Sequence, residues 1–336
     1  MLLLCGVLAL GAIGYADDAG YRVIKTIPLG GEGRWDYLTV DNAARRLYVS
    51  RGTHVSVVDL EAGKLAGDIL GTAGVHGIAL APEFNRGFIS CGQVGQVMIF
   101  DLKTLLVLGR VETGKNPDAI LYDPASKLVF AFNGGSQNAT VFVAATGEVK
   151  ATIPLGGKPE FSRSDEKGKV YVNIEDTSEV VEIDSQKLTV TKRYPLAPGE
   201  EPSGMGLDNQ NHRIFSGCNN QLMTVLDIET GKLLGTVPIG KGVDGNGFDP
   251  ETKTAFSSNG GDGTLTVVQE TAPGKYAAVA TVKTQPGSRT MTIDPKTHNV
   301  YLPCVDYPPA AEAKPGEAKS RPAAIKDSFA ILVVGK

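Results

Sequence analysis

Six side chains able to do chemistry recur through this chain at nearly even intervals: Asp36, His76, Asp118, Glu160, Asp244 and Arg289, with Ser203 filling the one gap in the series. Successive members stand roughly 40 to 45 residues apart, the span of one four-stranded propeller blade. Carboxylates and an imidazole brought to one place could hold a divalent cation, calcium through oxygen alone or zinc with the imidazole included. The guanidinium of Arg289 across from them could grip a ligand carboxylate through two parallel hydrogen bonds. A plainer role competes with this one. Short acidic side chains in turns often do no more than accept hydrogen bonds from nearby backbone N–H groups. For any single position the plain role is the stronger expectation. For a whole series directed at one concavity, ligand binding is.

Convergence requires a scaffold that repeats, and the chain has one. Each member of the series precedes a strand–turn–strand phrase: "YLTVDNAARRLYVS", "GIALAPEFNRGFIS", "AILYDPASKLVFAF", "FSRSDEKGKVYVN", "GMGLDNQNHRIFSG", "GNGFDPETKTAFSS" and "TMTIDPKTHNVYLP". A second hairpin follows nearly every one, most plainly in "SVVDLEAGKLAGDILGTAG" and "TVLDIETGKLLGTVPIGKG". In these second hairpins Asp59, Asp101, Asp184 and Asp227 open the turn, where an Asp side chain bonds backbone two residues on. Gly63, Gly147 and Gly231 stand where such a turn needs a positive φ. Seven two-hairpin units predict an all-β fold, a seven-bladed β-propeller of four-stranded blades. The last unit has strands at residues 290–293, 300–303 and 329–334 but then ends. The stretch "YRVIKTIPLG" at residues 21–30 has the ending of an outer strand and no hairpin of its own. It is expected to complete blade seven and close the ring, which removes an open sheet edge. Pro28, Pro154, Pro195 and Pro238 then fall on outermost strands, where a missing N–H does least harm.

The domain therefore spans residues 21–336. Residues 1–16 read as a signal peptide: an apolar run too short to cross a bilayer, followed by small residues. Residues 307–328, rich in Pro, Ala, Lys and Glu, read as a flexible loop inserted into blade seven. A net charge of −4 gives no overall basic field to draw nucleic acid or anionic lipid. Motif decoys fail. "GTVPIGK" lacks the Ser or Thr and the following helix of a phosphate loop, and C-x-x-C-H, H-E-x-x-H and G-x-S-x-G are absent.

The repeat resembles the YVTN β-propeller family, the group that includes YncE-like exported proteins. "RLYVSRGTHVSVVDLEAGKL", "KVYVNIEDTSEVVEID" and "TVLDIETGKLLGTVPIGKG" carry the likeness, and the name-giving step appears as Tyr48-Val49-Ser50-Arg51 and Tyr171-Val172-Asn173-Ile174. The resemblance implies an exported propeller and no single chemistry. At the family's Asn position this chain reads Arg51, Cys91, Asn133, Ile174, Cys218, Asn259 and Cys304, keeping Asn twice. The three cysteines thus share one position in non-adjacent blades. Packed sheets lie about 10 Å apart and a disulfide needs Cα atoms within about 7 Å, so no internal bridge is expected.

These readings lead to an exported binding protein, periplasmic or extracellular, that recognises a small polar ligand, a cation or a partner segment at an acidic channel mouth. Its binding residues are expected to be Trp35, Asp36, Arg51, His54, His76, Asp118, Asn133, Glu160, Asp244, Asn259 and Arg289. His212 and His298 fall in turns of the opposite face and are left out. No cofactor is required, although calcium or zinc could sit among Asp36, His76, Asp118, Glu160 and Asp244. A monomer with no transmembrane anchor in its mature form is expected. Related-looking propellers include metal-assisted lactonases. The resemblance therefore also admits a hydrolase in which a cation polarises a carbonyl and His76 or a carboxylate acts as base. Single-stranded nucleic-acid binding, known in YncE-like proteins, is disfavoured by the net acidity and by the lack of an aromatic stack beyond Trp35.

Overall fold

A computed structural model describes residues 20–31, 33–308 and 323–336. Residues 1–16, read as a signal peptide, and most of the segment 307–328, read as a flexible loop, lie outside the described residues.

The strands assemble into seven four-stranded antiparallel sheets, each joined in sequence order except one. The exception is blade seven, ordered from the outside as Arg22–Pro28, Ala330–Gly335, Val300–Cys304 and Thr292–Ile293. The N-terminal strand pairs antiparallel with the last strand, Ile27 opposite Ile331 and Pro28 opposite Ala330. The expected closure is therefore present. Ile27 is almost fully buried in a cluster with Leu38, Leu47, Phe329, Ile331 and Val333, so the closing strand knits blades seven and one. A second clasp joins the same two blades on the opposite face. There the Arg45 guanidinium donates to both carboxylate oxygens of Asp294, at 2.9 and 2.7 Å. That planar two-bond geometry is the strong form of an Arg–carboxylate pair.

Turn chemistry follows the residues. Asp59 Oδ1 accepts the N–H of Ala62 at 2.8 Å, and Asp227 Oδ1 accepts those of Glu229 and Thr230. Gly63, Gly147 and Gly231 take positive φ, and where the Gly is missing Leu105 and Leu188 adopt φ of 62° and 56°. One further column holds the blades together. The middle residue of each inner strand faces an aromatic on the second strand: Tyr48, Phe88, Phe130, Tyr171, Phe215, Phe256 and Tyr301. These rings are buried and form the wedge between neighbouring sheets.

Cys91, Cys218 and Cys304 are all buried and free. Burial pushes their thiols up to about 11, 12 and 12. Thiolate is the reactive form, so these groups are inert in the native protein. A thiol reagent should label none of the three in folded protein and all three after denaturation, as read by peptide mass. An internal disulfide found instead would overturn the blade register. Among the described residues no helix is long and apolar enough to cross a membrane.

Candidate functional site

The series from Asp36 to Arg289 does converge, and a backbone device explains how. In blades two to six the register between the first two strands slips near the start of the inner strand. Pro117 faces Asn133 and Ile120 faces Ala131, so Asp118 and Ala119 together oppose Phe132. His76, Glu160, Ser203 and Asp244 occupy equivalent slips. A β-bulge of this kind turns a side chain out of the regular alternation. Here it aims His76, Asp118, Glu160 and Asp244 at the channel mouth, while Asp36 and Arg289 reach it from the residues just before the inner strands of blades one and seven.

Bulged backbone needs hydrogen-bond partners, and a hydroxyl column on the second strand supplies several. Ser50 Oγ accepts the Asp36 N–H at 2.8 Å, and Ser90 Oγ accepts that of Gly77 at 2.8 Å. Asn173 Nδ2 donates to the Ser203 carbonyl at 2.6 Å, and Ser258 bonds the carbonyls of Gly245 and Arg289. The carboxylates are therefore not spent on the backbone, and the plainer role considered for them does not describe their contacts.

What they meet instead is one another and a few cations. His76 Nδ1 lies 2.7 Å from Asp36 Oδ2 and 3.6 Å from Asp118 Oδ1. Arg289 donates to Asp244 Oδ2 at 2.6 Å and stands 3.6 Å from Asp36 Oδ1. Ser203 Oγ donates to Asp244 Oδ1 at 3.0 Å. Glu160 Oε2 accepts no hydrogen bond, although the Lys158 ammonium, which also pairs with Glu175, is 3.4 Å away. The side chains of Asp36, Asp118, Glu160 and Asp244 keep 14, 15, 15 and 19% of their surface exposed.

Partial burial of so many acids has a predictable electrostatic result. Burial raises the Glu160 carboxyl first, and the charge of Asp118 raises it further. Asp118 is raised by burial and by Asp36 and Asp244, against the pull of His76. Asp244 rises by burial and by Asp36, with Arg289 and Ser203 opposing. For His76 burial works against the imidazolium, but the Asp36 hydrogen bond and the charges of Asp118, Asp36 and Glu160 prevail and raise it to about 9. The mouth thus stores protons at neutral pH.

Beneath the collar the channel is shut. Tyr37 and Phe161 hold the same position in blades one and four, where the other blades carry Gly77, Ala119, Gly204, Gly245 and Thr290. A Cβ on Gly204 would lie 2.3 Å from the Asn246 backbone nitrogen, and one on Gly245 2.7 Å from that of Met291, so inner strands there touch directly. A large side chain in this column must turn into the channel. The two rings meet edge to face at 4.9 Å between centroids, making an aromatic floor. Burial, then the charges of Glu160, Asp244, Asp118 and Asp36, push the Tyr37 phenol well above its ordinary value.

Five of the expected binding residues point elsewhere. Trp35 packs against Phe329 at 5.8 Å and offers the mouth only its carbonyl, 3.4 Å from Arg289 Nη2. Arg51 lies over the Phe329 ring, 3.5 Å from its centroid, and donates to the Gly30 carbonyl, bracing the ring closure. Asn133 clamps Asn138 and Thr140 inside blade three, and Asn259 does the same to Thr264 and Thr266 in blade six. His54 sits on the third strand of blade one with Asp68 at 3.8 Å. These are corrections, and Arg51, Asn133 and Asn259 share one physical reason: the end of the second strand faces the neighbouring strand of its own blade or the adjoining blade, whereas the entrance to the inner strand faces the axis.

No family model matches the chain. It is 26% identical over 190 residues to antigen Lp49 of Leptospira interrogans, a stretch that is 53% of this chain and 39% of that protein. The chain therefore spans well under half the length of that relative. A solved structure of the Kuenenia stuttgartiensis hydrazine synthase superposes with a TM-score of 0.72 over 88% of this chain and 96% of that one, at 15% identity. At such identity the likeness speaks for the fold alone. The fold is a seven-bladed β-propeller.

Three residues of the site carry no signal in the repeat. Tyr37 follows Asp36 directly, Phe161 follows Glu160 directly, and Lys158 precedes Glu160 by two. The clue available was the size of Tyr37 and Phe161 in a column otherwise made of small residues.

Proposed function

We propose that the chain is a YVTN-type, exported binding propeller whose mouth takes a cationic group: a divalent cation, or the ammonium of a small polar ligand or partner segment. The observation that carries this reading is the buried Glu160 Oε2, which accepts no hydrogen bond inside a collar of four carboxylates. A cation arriving there replaces stored protons and relieves carboxylate repulsion without rearranging backbone. The aromatic floor of Tyr37 and Phe161 adds the face that an organic ammonium favours. Titration calorimetry with calcium, zinc and spermidine tests the reading. One of them should bind once per chain and release protons, seen as an enthalpy that depends on the buffer. His76→Gln should reduce that proton release while the protein stays folded. Failure of all three probes to bind would sink the proposal.

A metal-assisted hydrolase is the second reading, favoured by one specific feature. Asp36, His76 and Asp118 each offer a ligand atom, all within 4.8 Å of one another. Three protein ligands with an open fourth position is the pattern of catalytic zinc, so these residues fit such an ion once His76 gives up its proton. A bound ion would supply Lewis acidity. Glu160, beside it and already raised, would carry the proton. Zinc-dependent hydrolysis of a simple lactone, lost in Asp118→Asn, would promote this reading over pure binding.

A further inference from the structure

A sizeable cavity lies apart from the acidic mouth. It lies beyond the Tyr37–Phe161 floor, encloses about 780 Å³, and opens toward the turns at Asn42, Pro82 and Pro250. Its volume falls in the range of about 300–1,000 Å³ usual for small-molecule sites. The wall is mostly aliphatic and aromatic, with Ile78, Leu80, Ile120, Phe248 and Ile293 among its residues.

Polar residues interrupt this wall, Asp41, Asn42, Glu166 and Asp249 among them, and one of them is a cation. The inner-strand position that faces the aromatic wedge reads Thr39, Ala79, Leu121, Gly206, Gly247 and Thr292 in six blades, and Arg163 in blade four. Arg163 is the only basic residue lining the cavity. It borders a side lobe of about 160 Å³ with Asn246, Phe248 and Thr292. Its guanidinium lies 4.6 Å from the centre of the Phe161 ring. No carboxylate pairs with it among the described residues. Of the three acids that line the cavity, Asp41 accepts the Ala44 N–H and Asp249 holds Thr252 and His298, while Glu166 makes no ion pair with Arg163. Asn246 is only 2% exposed, yet neither its Oδ1 nor its Nδ2 has a hydrogen-bond partner. A buried amide without partners is costly unless something completes it, and the half-buried Arg163 guanidinium borders the same lobe without a counter-ion.

We propose that this chamber is a second ligand site, distinct from the mouth, for a monocarboxylate with an aliphatic or aromatic body. The carboxylate accepts two parallel hydrogen bonds from Arg163, and the apolar body fills the channel against Ile78, Ile120, Phe248 and Ile293. Burial holds the guanidinium down at about 10, so it keeps its proton at neutral pH and gains most from an anion. The floor of Tyr37 and Phe161 separates this chamber from the acidic collar, so the site does not depend on the function proposed for the mouth.

Titration calorimetry with decanoate, decanol and decylammonium tests the assignment. Decanoate should bind once per chain, with decanol weaker and decylammonium silent. Charge-assisted hydrogen bonds are worth enough that Arg163→Met should weaken decanoate roughly 10- to 100-fold. Having lost no polar partner, that variant should melt no lower than the parent. Asp118→Asn/Glu160→Gln should bind decanoate as the parent does, which separates the two sites. In unaltered protein, decanoate but not decanol should slow phenylglyoxal labelling of Arg163, a readout that needs no variant. Equal binding of decanol, unchanged affinity in Arg163→Met, labelling indifferent to decanoate, or no saturable binding of decanoate would each overturn the proposal.

Discussion

A chain lacking residues 21–30 is expected to aggregate, or to melt far below the intact protein. That segment supplies the outer strand of blade seven and buries Ile27 against Phe329, Ile331 and Val333. Its loss uncovers the backbone edge of Ala330–Gly335, which two further contacts otherwise close: the Leu29 and Gly30 N–H groups both donate to the Phe329 carbonyl. An exposed, flat, apolar edge is a template for pairing with other chains. The milder variant Ile27→Ala should by itself cost about 2–5 kcal/mol, the range for truncating a large buried aliphatic side chain. Thermal melting with light scattering checks both. A deletion variant that melts like the parent and stays monomeric would show that the Arg45–Asp294 clasp on the other face is enough to close the ring.

The second large effect is expected at the mouth. Asp118→Asn/Glu160→Gln keeps shape and hydrogen-bonding capacity while removing two acids whose ionisation burial opposes. The double variant should fold, melt on the order of 2–4 °C higher at neutral pH per kcal/mol gained, and lose the cationic ligand. The pH dependence has a definite sign. Unfolded carboxyls titrate near about 4, and those of Glu160, Asp118 and Asp244 are raised in the folded protein. The folded state therefore holds more protons than the unfolded one above about pH 4, and stability falls as pH rises through that window. His76 acts in the same direction. Its folded value of about 9 lies above the unfolded value near 6.5, so the stability it contributes is complete below about 6.5 and lost as pH passes 9. The parent should thus lose stability steadily toward alkaline pH, and the double variant should show a flatter profile. A variant that is destabilised yet still binds calcium, zinc or spermidine as the parent does would remove these two acids from the site.

The pattern of the chain was enough to specify the architecture, because propeller blades are built from local contacts. A hairpin turn needs its Asp and its positive φ within a few residues, so Asp59, Gly63, Asp227 and Gly231 announce the strands around them. The 40-residue recurrence also places Asp36, His76, Asp118, Glu160, Asp244 and Arg289 at one level of the ring, and pairing across the sheets keeps them there. Even the closing strand was legible, since the ending of residues 21–30 matches an outer strand with no hairpin of its own. What local pattern could not convey is direction across the channel. Arg51, Asn133 and Asn259 share a column with one another and a face with the collar, yet they point into blades because the end of the second strand faces its own blade or the adjoining one. The aromatic floor is likewise a tertiary event. Tyr37 and Phe161 are 124 positions apart and meet only because the blades between them bend the chain around the ring. Their contact lies between an acidic mouth and a chamber of mixed lining that holds Arg163. Residues related by a repeat can be aligned from sequence, but which of them meet across the axis depends on ring closure, which no single repeat contains.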